Sequence, residues 1–477
     1  MKKILLLISA IASVLVGNAT AKGGSSFDDL PAWTKRVGAR KAPTATRECP
    51  ANAYGAKADI SINSGPAIQK AIDECSSKGG RVTFAPGEYV SGALFVKSNV
   101  ELNIPAGVTI LGSQVESDYP KAPTRIAGIE MSWPSALINV NDAKNVKITG
   151  GGTIDGRGQL WWDKYWALRR EYEPKGLRWA SDYDAERVRL MVISRSSDVT
   201  VENLSLKRSG FWTMQILYSD HITVDGIKIS DNAGPSTDGV DVDSSSYVLI
   251  QNSDIDNNDD DICLKAGRDF DGLRVNRPTE YVLIRNNHIR RGGGVVAFGS
   301  ETSGGIRHVV AIDNRADGTK EGIRFKSAKT RGGYVEDVLI RGMKMANVPL
   351  PITFTLNWNP SYSYATIPAG MTNVPDYWKV MNTPVLPVER GYCLFRNIRI
   401  ENIEITGANR IFTATGLPDK TLQNVAFKDI IAAGKEAGHI EYAENWSMKN
   451  VTLTTDSGEP VKISNSKNVD APKVVKR

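Results

Sequence analysis

The sequence predicts an all-β fold, a right-handed parallel β-helix, on three observations. First, short segments of alternating apolar residues recur, as in Asp198-Val-Thr-Val-Glu-Asn, His221-Ile-Thr-Val-Asp-Gly, Tyr247-Val-Leu-Ile-Gln-Asn and Tyr281-Val-Leu-Ile-Arg-Asn. Alternation with period 2 is the signature of strands. Second, the first valine or isoleucine of each segment falls at 199, 222, 248, 282, 309, 338, 398, 425 and 451, mostly 23 to 34 residues apart. A near-constant period of that length marks stacked coils, each burying its apolar face on the next. Third, asparagine or glycine returns at one register, including Asn203, Asn252, Asn286 and Asn402. These are turn residues between strands. A β-sandwich with fortuitous spacing rarely repeats such residues in register.

From the N-terminus, Lys2 and Lys3 precede an apolar run from Ile4 to Val16 and a small-x-small site at Ala19-Thr20-Ala21. This reads as a secretory signal peptide over residues 1–21, followed by one β-helix domain over 22–477. Export to the periplasm or the exterior is expected. The run is short for a membrane span, so no membrane insertion is expected. One helix stands out, from Ser64 through Pro66 to Cys75, with an apolar stripe at Ile68, Ala71, Ile72 and Cys75. Its place before the first strands suits a cap on the open end of the solenoid. A second, shorter strand follows each marker strand, as in Gly226-Ile-Lys-Ile-Ser. Two insertions break the period. Residues 157–189 carry Trp161, Trp162, Tyr165, Trp166 and several arginines, and residues 350–390 carry Trp358, Tyr362, Tyr364 and Trp378. Long aromatic loops on a rigid solenoid build clefts.

Composition narrows the function. The 477 residues are 41% hydrophobic and 23% charged, with a net charge of +6, or +4 without the two lysines of the export segment. That excess is too mild, and too dispersed, for a nucleic-acid partner. The four cysteines have no metal-ligand spacing, and a Cys49–Cys75 disulfide is one possibility. The four histidines form no ligand pair, which argues against a histidine-based zinc site or a Ser-His-Asp hydrolase. His221 and His308 share the register slot of Asp198, Tyr247 and Tyr281, and so read as turn residues.

The chemistry gathers in two segments about one coil apart, Ser236-Thr-Asp238-Gly-Val-Asp241 and Asp259-Asp260-Asp261-Ile-Cys-Leu-Lys265. Residues one coil apart stack at about 4.8 Å, so Asp238, Asp259 and Asp260 are expected to share one patch. Crowded carboxylates raise one another's pKa. A calcium site or a solvated acidic face would account for the cluster. So would glycoside hydrolysis, in which one carboxyl protonates the leaving oxygen and another activates water. Further on, Arg324 and Lys326 point the same way from one strand. They suit a carboxylate-bearing sugar or salt bridges to the aspartates.

These motifs, together with Tyr54-Gly-Ala-Lys, Gly87-Glu-Tyr, Asp155-Gly-Arg-Gly, Phe211-Trp212 and Gly299-Ser-Glu301, resemble the pectin-degrading polygalacturonases of glycoside hydrolase family 28, from about Ala51 to Thr455. The resemblance implies the pectin-lyase-like solenoid and single-step inversion with neither cofactor nor metal. It implies Asp259 as general acid, Asp238 and Asp260 as activators of water, and Arg324 and Lys326 as readers of the substrate carboxylate. Lys265, Trp212 and Glu301 are implied as further substrate-binding residues. The expected partner is a pectic poly- or oligosaccharide, and the expected state a monomer. Three departures stand out. Ser236 replaces the asparagine of Asn-Thr-Asp, Gln215 replaces the histidine of Trp-x-x-His, and Gly293 replaces the histidine of Gly-His-Gly. The last is expected to open space beside Asp238 and Asp260 and to shift weight toward galacturonate–rhamnose linkages, unless Gln215 or an insertion arginine stands in for the imidazole. The bulky insertions predict a closed pocket and exo action. The competing readings are a calcium-dependent pectate lyase with an arginine base, and a non-catalytic carbohydrate-binding β-helix or adhesin.

Overall fold

The computed structural model describes residues 29–477, so the proposed export segment lies outside the described residues. Its core is a right-handed parallel β-helix: 34 strands joined in one continuous parallel sheet that folds into three ladders. The first ladder carries the marker positions. Val146, Val199, Ile222, Val248, Val282, Val309, Val338, Ile398 and Val425 follow one another in register, rung upon rung. The marker at 451 breaks the pattern: Val451 pairs with Ile430, a position of the second ladder. Asn445, whose side chain bonds Asn424, occupies the slot expected for Asn450.

The residue before each marker sits in the left-handed region, with φ between 53° and 57° from Asn145 to Asn424. Asparagine and aspartate tolerate that conformation best. The bulky residues placed there gain from stacking: His221, Tyr247, Tyr281 and His308 form a ladder of near-parallel rings 4.8–4.9 Å apart. The ring spacing matches the separation of adjacent strands. Asn203, Asn252, Asn286 and Asn402 are left-handed as well, at the corner between the first and second ladders.

Inside the solenoid, like residues stack on like. Phe298, Phe325 and Phe354 lie parallel within 1°, with centroids 4.3 and 4.5 Å apart. The helix Gly65–Ser76 closes the N-terminal end with Ile68, Ala71, Ile72 and Cys75 buried, and a Cys49–Cys75 disulfide ties it to the strand Glu48–Pro50. Ser64 does not cap this helix through its side chain. Its hydroxyl exchanges hydrogen bonds with the backbone of Lys57 instead.

The excursions are more ordered than loops. Residues 157–189 contain a helix, Gln159–Tyr172. The segment 267–280 contains another, Asp269–Val275. The second insertion begins later than the sequence suggests, because Leu350–Thr355 is a strand of the third ladder. An antiparallel hairpin, Lys121–Ile126 with Ile129–Pro134, stands outside the solenoid. It packs with both insertions into a satellite core around Trp133, Trp179, Phe211 and Trp378. Among the described residues, no helix is long and apolar enough to cross a membrane.

Candidate active site

The third ladder positions the site. Alternate residues of its strands point inward and outward. Val242, Leu264, Phe298 and Phe325 enter the core, while Asp241, Cys263 and Arg324 line up on the outer face. Lys265 stands outward beside Asp243 on the neighbouring strand. Asp238 and Asp260 end the turns that lead into two adjacent strands. The Gly239 N–H donates to the Asp260 carbonyl at 2.9 Å, which locks these turns side by side. Carboxylate oxygens of Asp238 and Asp260 and the Cys263 sulfur lie within 4.8 Å of one another. Asp259, half-buried, turns its carboxylate back to accept from the Asp260 N–H at 3.0 Å. Asp238, Asp259, Asp260, Lys265, Glu301, Lys326 and Trp212 line one cavity of about 70 Å³. The expected constellation is therefore assembled in one place.

Cations hold the acids together. Asp260 accepts from Arg324 at 2.8 Å and from Lys326 at 2.5 Å. Burial opposes its ionisation, but these two cations outweigh burial and hold the carboxyl well below the usual range. In this state Arg324 and Lys326 serve as salt-bridge partners of Asp260, with Arg324 also bonded to Glu321 at 2.9 Å. Lys265 stands 3.5 Å from Asp238, 3.5 Å from Asp241 and 3.3 Å from Glu301. Burial works against the charge of Lys265, and the surrounding acids keep it protonated. Burial also works against ionisation of Glu301, yet Lys265, Arg331, Lys326 and Arg268 bring its pKa down to about 2.

Asp238 has one cation beside it, Lys265, which does not outweigh burial and the neighbouring acids. Burial, then the charges of Asp241 and Asp259, push its carboxyl well above the ordinary range. Burial likewise raises Asp241 to about 7, against the pull of Lys265. The site thus divides its acids into two held ionised, Asp260 and Glu301, and two whose protonated forms are favoured, Asp238 and Asp241. Trp212 stacks on Phe211 at 5.2 Å and lies under the Lys265 ammonium at 4.9 Å, so it is a buried wall of the cavity.

Two expectations are corrected. Gly293 does not open space beside Asp238. It lies against the Asp259–Asp260 backbone, where an added Cβ would come 3.0 Å from the Asp259 carbonyl carbon. Its open side faces a second cavity of about 230 Å³, lined by Tyr165, Trp166, Arg169, Arg178 and Arg324 among others. Gly292 must lack a side chain because Asp261 fills that place, 2.0 Å from where a Cβ would stand. Nor does Gln215 stand in for an imidazole. It is buried on the outer face of the third ladder, bonded to Arg189, to the Arg125 carbonyl at 3.2 Å and to Asp243 at 3.3 Å. Trp161 and Trp162 belong to packing, as does Trp378 in the satellite core. Trp358 and Tyr362 reach the cavity.

Three further residues belong to the site, Asp241, Arg178 and Asp182. Asp241 was legible as an outward position of an Asp-Val-Asp strand. Arg178 and Asp182 sit in an insertion with no repeat register, which left no signal to place them.

A parallel β-helix with buried carboxylates compensated by cations in an outer-face cavity has the acid pair that glycoside hydrolysis requires, and the family comparison assigns the chain to that class. The model of one family, Glycosyl hydrolases family 28, matches residues 97–376, and the chain belongs to that family. A probable polygalacturonase of Vitis vinifera is 32% identical over 317 residues, 64% of this chain and 62% of the relative. The chain thus spans under two thirds of that relative's length. An exo-poly-alpha-D-galacturonosidase of Dickeya chrysanthemi is 25% identical over 87% of this chain and 73% of its own length. Among solved structures, a hyperthermoactive exopolygalacturonase from Thermotoga maritima superposes with a TM-score of 0.70 at 25% identity, covering 92% of this chain and 95% of that one.

Proposed function

We propose that this protein hydrolyses galacturonosyl linkages of pectic polysaccharide with inversion, releasing single units from a chain end. The observation that carries this reading is the division of labour in the cavity. Asp238 and Asp260 present oxygens within 4.8 Å of each other, close enough to grip one water. Asp259 stands apart on the half-buried side, between the two cavities. In the proposed step, Asp259 donates its proton to the leaving glycosidic oxygen. The water held by Asp260 and Asp238 attacks the anomeric carbon from the other face. Its proton passes to Asp260, the member of the pair that is ionised, while Asp238 keeps its own proton and orients the water. The C–O bond to the leaving sugar breaks as the new C–O bond forms.

The uronate preference is supported by Lys265 and Lys326, which line the cavity with the aspartates, and by Arg324, which lines the adjoining one. Exo action is supported by the hairpin 121–134, the helix Gln159–Tyr172 and the segment 356–390. They pack together around the cavity and leave it small. The names of the Dickeya and Thermotoga relatives agree with that preference. Because the space at Gly293 is bordered by the arginines and aromatics of an insertion, we favour unbranched galacturonan over rhamnogalacturonan. Export from the cytoplasm is part of the same proposal, supported by the lysines and apolar run of the N-terminal segment.

The experiment follows anomeric configuration by NMR during hydrolysis of oligogalacturonides and of rhamnogalacturonan oligomers, with chromatography of the early products. The expected result is an inverted anomer and monomer as the sole early product from oligogalacturonides. Retention overturns the mechanism, a ladder of sizes overturns exo action, and preference for rhamnogalacturonan overturns the linkage. An unsaturated product would assign the lyase reading instead.

A further inference from the structure

The insertion 157–189 delivers one cation that the repeat itself does not supply. Arg178 borders both cavities, and Asp259 and Ser236 also line both. It stands beside Asp259 where the two cavities meet. One guanidinium nitrogen pairs with Asp182 at 2.9 Å. The plane lies over the Tyr362 ring, 5.2 Å from its centroid.

The charge count around Asp182 is uneven. Its other oxygen pairs with Arg187 at 2.7 Å and accepts from the Ser236 hydroxyl at 2.9 Å. Arg187 is fully buried between the rings of Tyr165 and Phe211, 4.3 and 4.1 Å away, and donates to the Pro235 carbonyl. It cannot leave that position to meet a ligand. Two guanidinium charges therefore share one carboxylate, and the surplus positive charge resides on Arg178, the partner that is 14% exposed toward the cavities.

Resting on the reading above, we propose that Arg178 is a specificity-determining residue that reads the carboxylate of the sugar bound beside Asp259. Asp182 and Ser236 are its positioning residues. A planar fork with one arm fastened to Asp182 keeps its remaining N–H donors at a fixed angle, which suits a carboxylate better than a hydroxyl. The short hydroxyl of Ser236 then acts by fixing the Asp182 carboxylate that aims Arg178.

The test compares kcat/KM on a trigalacturonate and on its methyl ester, in which the carboxylates are neutral. One charge-assisted hydrogen bond corresponds to roughly 10- to 100-fold in kcat/KM. Arg178→Ala is expected to lose about that factor on the acid, and under about 3-fold on the ester, by the same reasoning. Arg178→Lys, which keeps the charge without the fork, should retain part of the preference. The alanine variant should fold, because Asp182 keeps Arg187 as its partner. If it does not, Arg178→Gln, which retains a donor toward Asp182, carries the same comparison. Equal losses on acid and ester, or no loss on either, would overturn the assignment while leaving wild-type galacturonan hydrolysis intact. A wild-type enzyme inactive on every galacturonide would overturn this assignment together with the proposed function.

Discussion

Asp241 shows how a single residue couples the site to stability. Its folded pKa of about 7 lies above the roughly 3.9 of an exposed aspartate. Between those values the folded state holds a proton that the unfolded state has released. Stability from this group is therefore complete below about pH 4 and is lost as pH rises through 7. Asp241→Asn carries no such proton. The difference in melting temperature, variant minus wild type, should grow in the variant's favour from pH 4 to pH 7 and then level off. A difference that stays flat across that range would show that Asp241 is not held protonated. Asp260 has the opposite sign, since Lys326 and Arg324 keep it ionised, which is why the neighbouring turns can hold two carboxyls with unlike protonation.

At the scale of elements, the N-terminal helix and the insertions do different work. The helix Gly65–Ser76 covers the first coil, where an open β-helix would expose apolar side chains and unpaired strand edges. The Cys49–Cys75 crosslink closes a loop of 26 residues around it. Loops of that size contribute about 3 kcal/mol by restricting the unfolded chain. Cys49→Ala with Cys75→Ala should lower the unfolding free energy by about that amount in urea titrations, by the same principle. Turnover should stay unchanged, because the acids lie several coils away. A loss of kcat in the folded variant would mean that the cap is coupled to the site. The insertions, by contrast, share one satellite core with the hairpin 121–134.

For the whole molecule, the solenoid makes each coil depend mainly on its two neighbours. Phe325 is the middle ring of a three-phenylalanine stack directly beneath the outer face that bears Arg324 and Lys326. Phe325→Ala should cost about 3–5 kcal/mol through the cavity it leaves. Amide exchange should accelerate first in Val296–Phe298, Glu321–Lys326 and Leu350–Thr355, with coils near Val82 and Leu102 still protected. Activity should fall as well, since those strands aim the cations at Asp260. Uniform loss of protection along the chain would show that the coils unfold as one unit.

The sequence by itself determined the solenoid, because the rung spacing forces equivalent residues onto one column and so leaves a period in the chain. It also determined the meeting of Asp238, Asp259 and Asp260, since a separation near one coil is a distance in space. The register failed only at Val451, where the turn shortens and the same Asn-Val pattern serves another ladder. What lies outside the period was decided by tertiary structure alone. The helix Gln159–Tyr172, the hairpin 121–134 and the late start of the second insertion have no repeated partner to reveal them. Protonation was also decided there. Asp238 and Asp260 are the same residue type in equivalent turns, but Lys326 and Arg324 favour the anion at Asp260, while burial and the charges of Asp241 and Asp259 favour the acid at Asp238. Likewise Gly293 reads as an opening in the sequence. In space it is the floor of a cavity whose walls, Trp166 and Arg178, arrive from more than a hundred residues away, because an insertion is free to fold over any coil that its own packing allows.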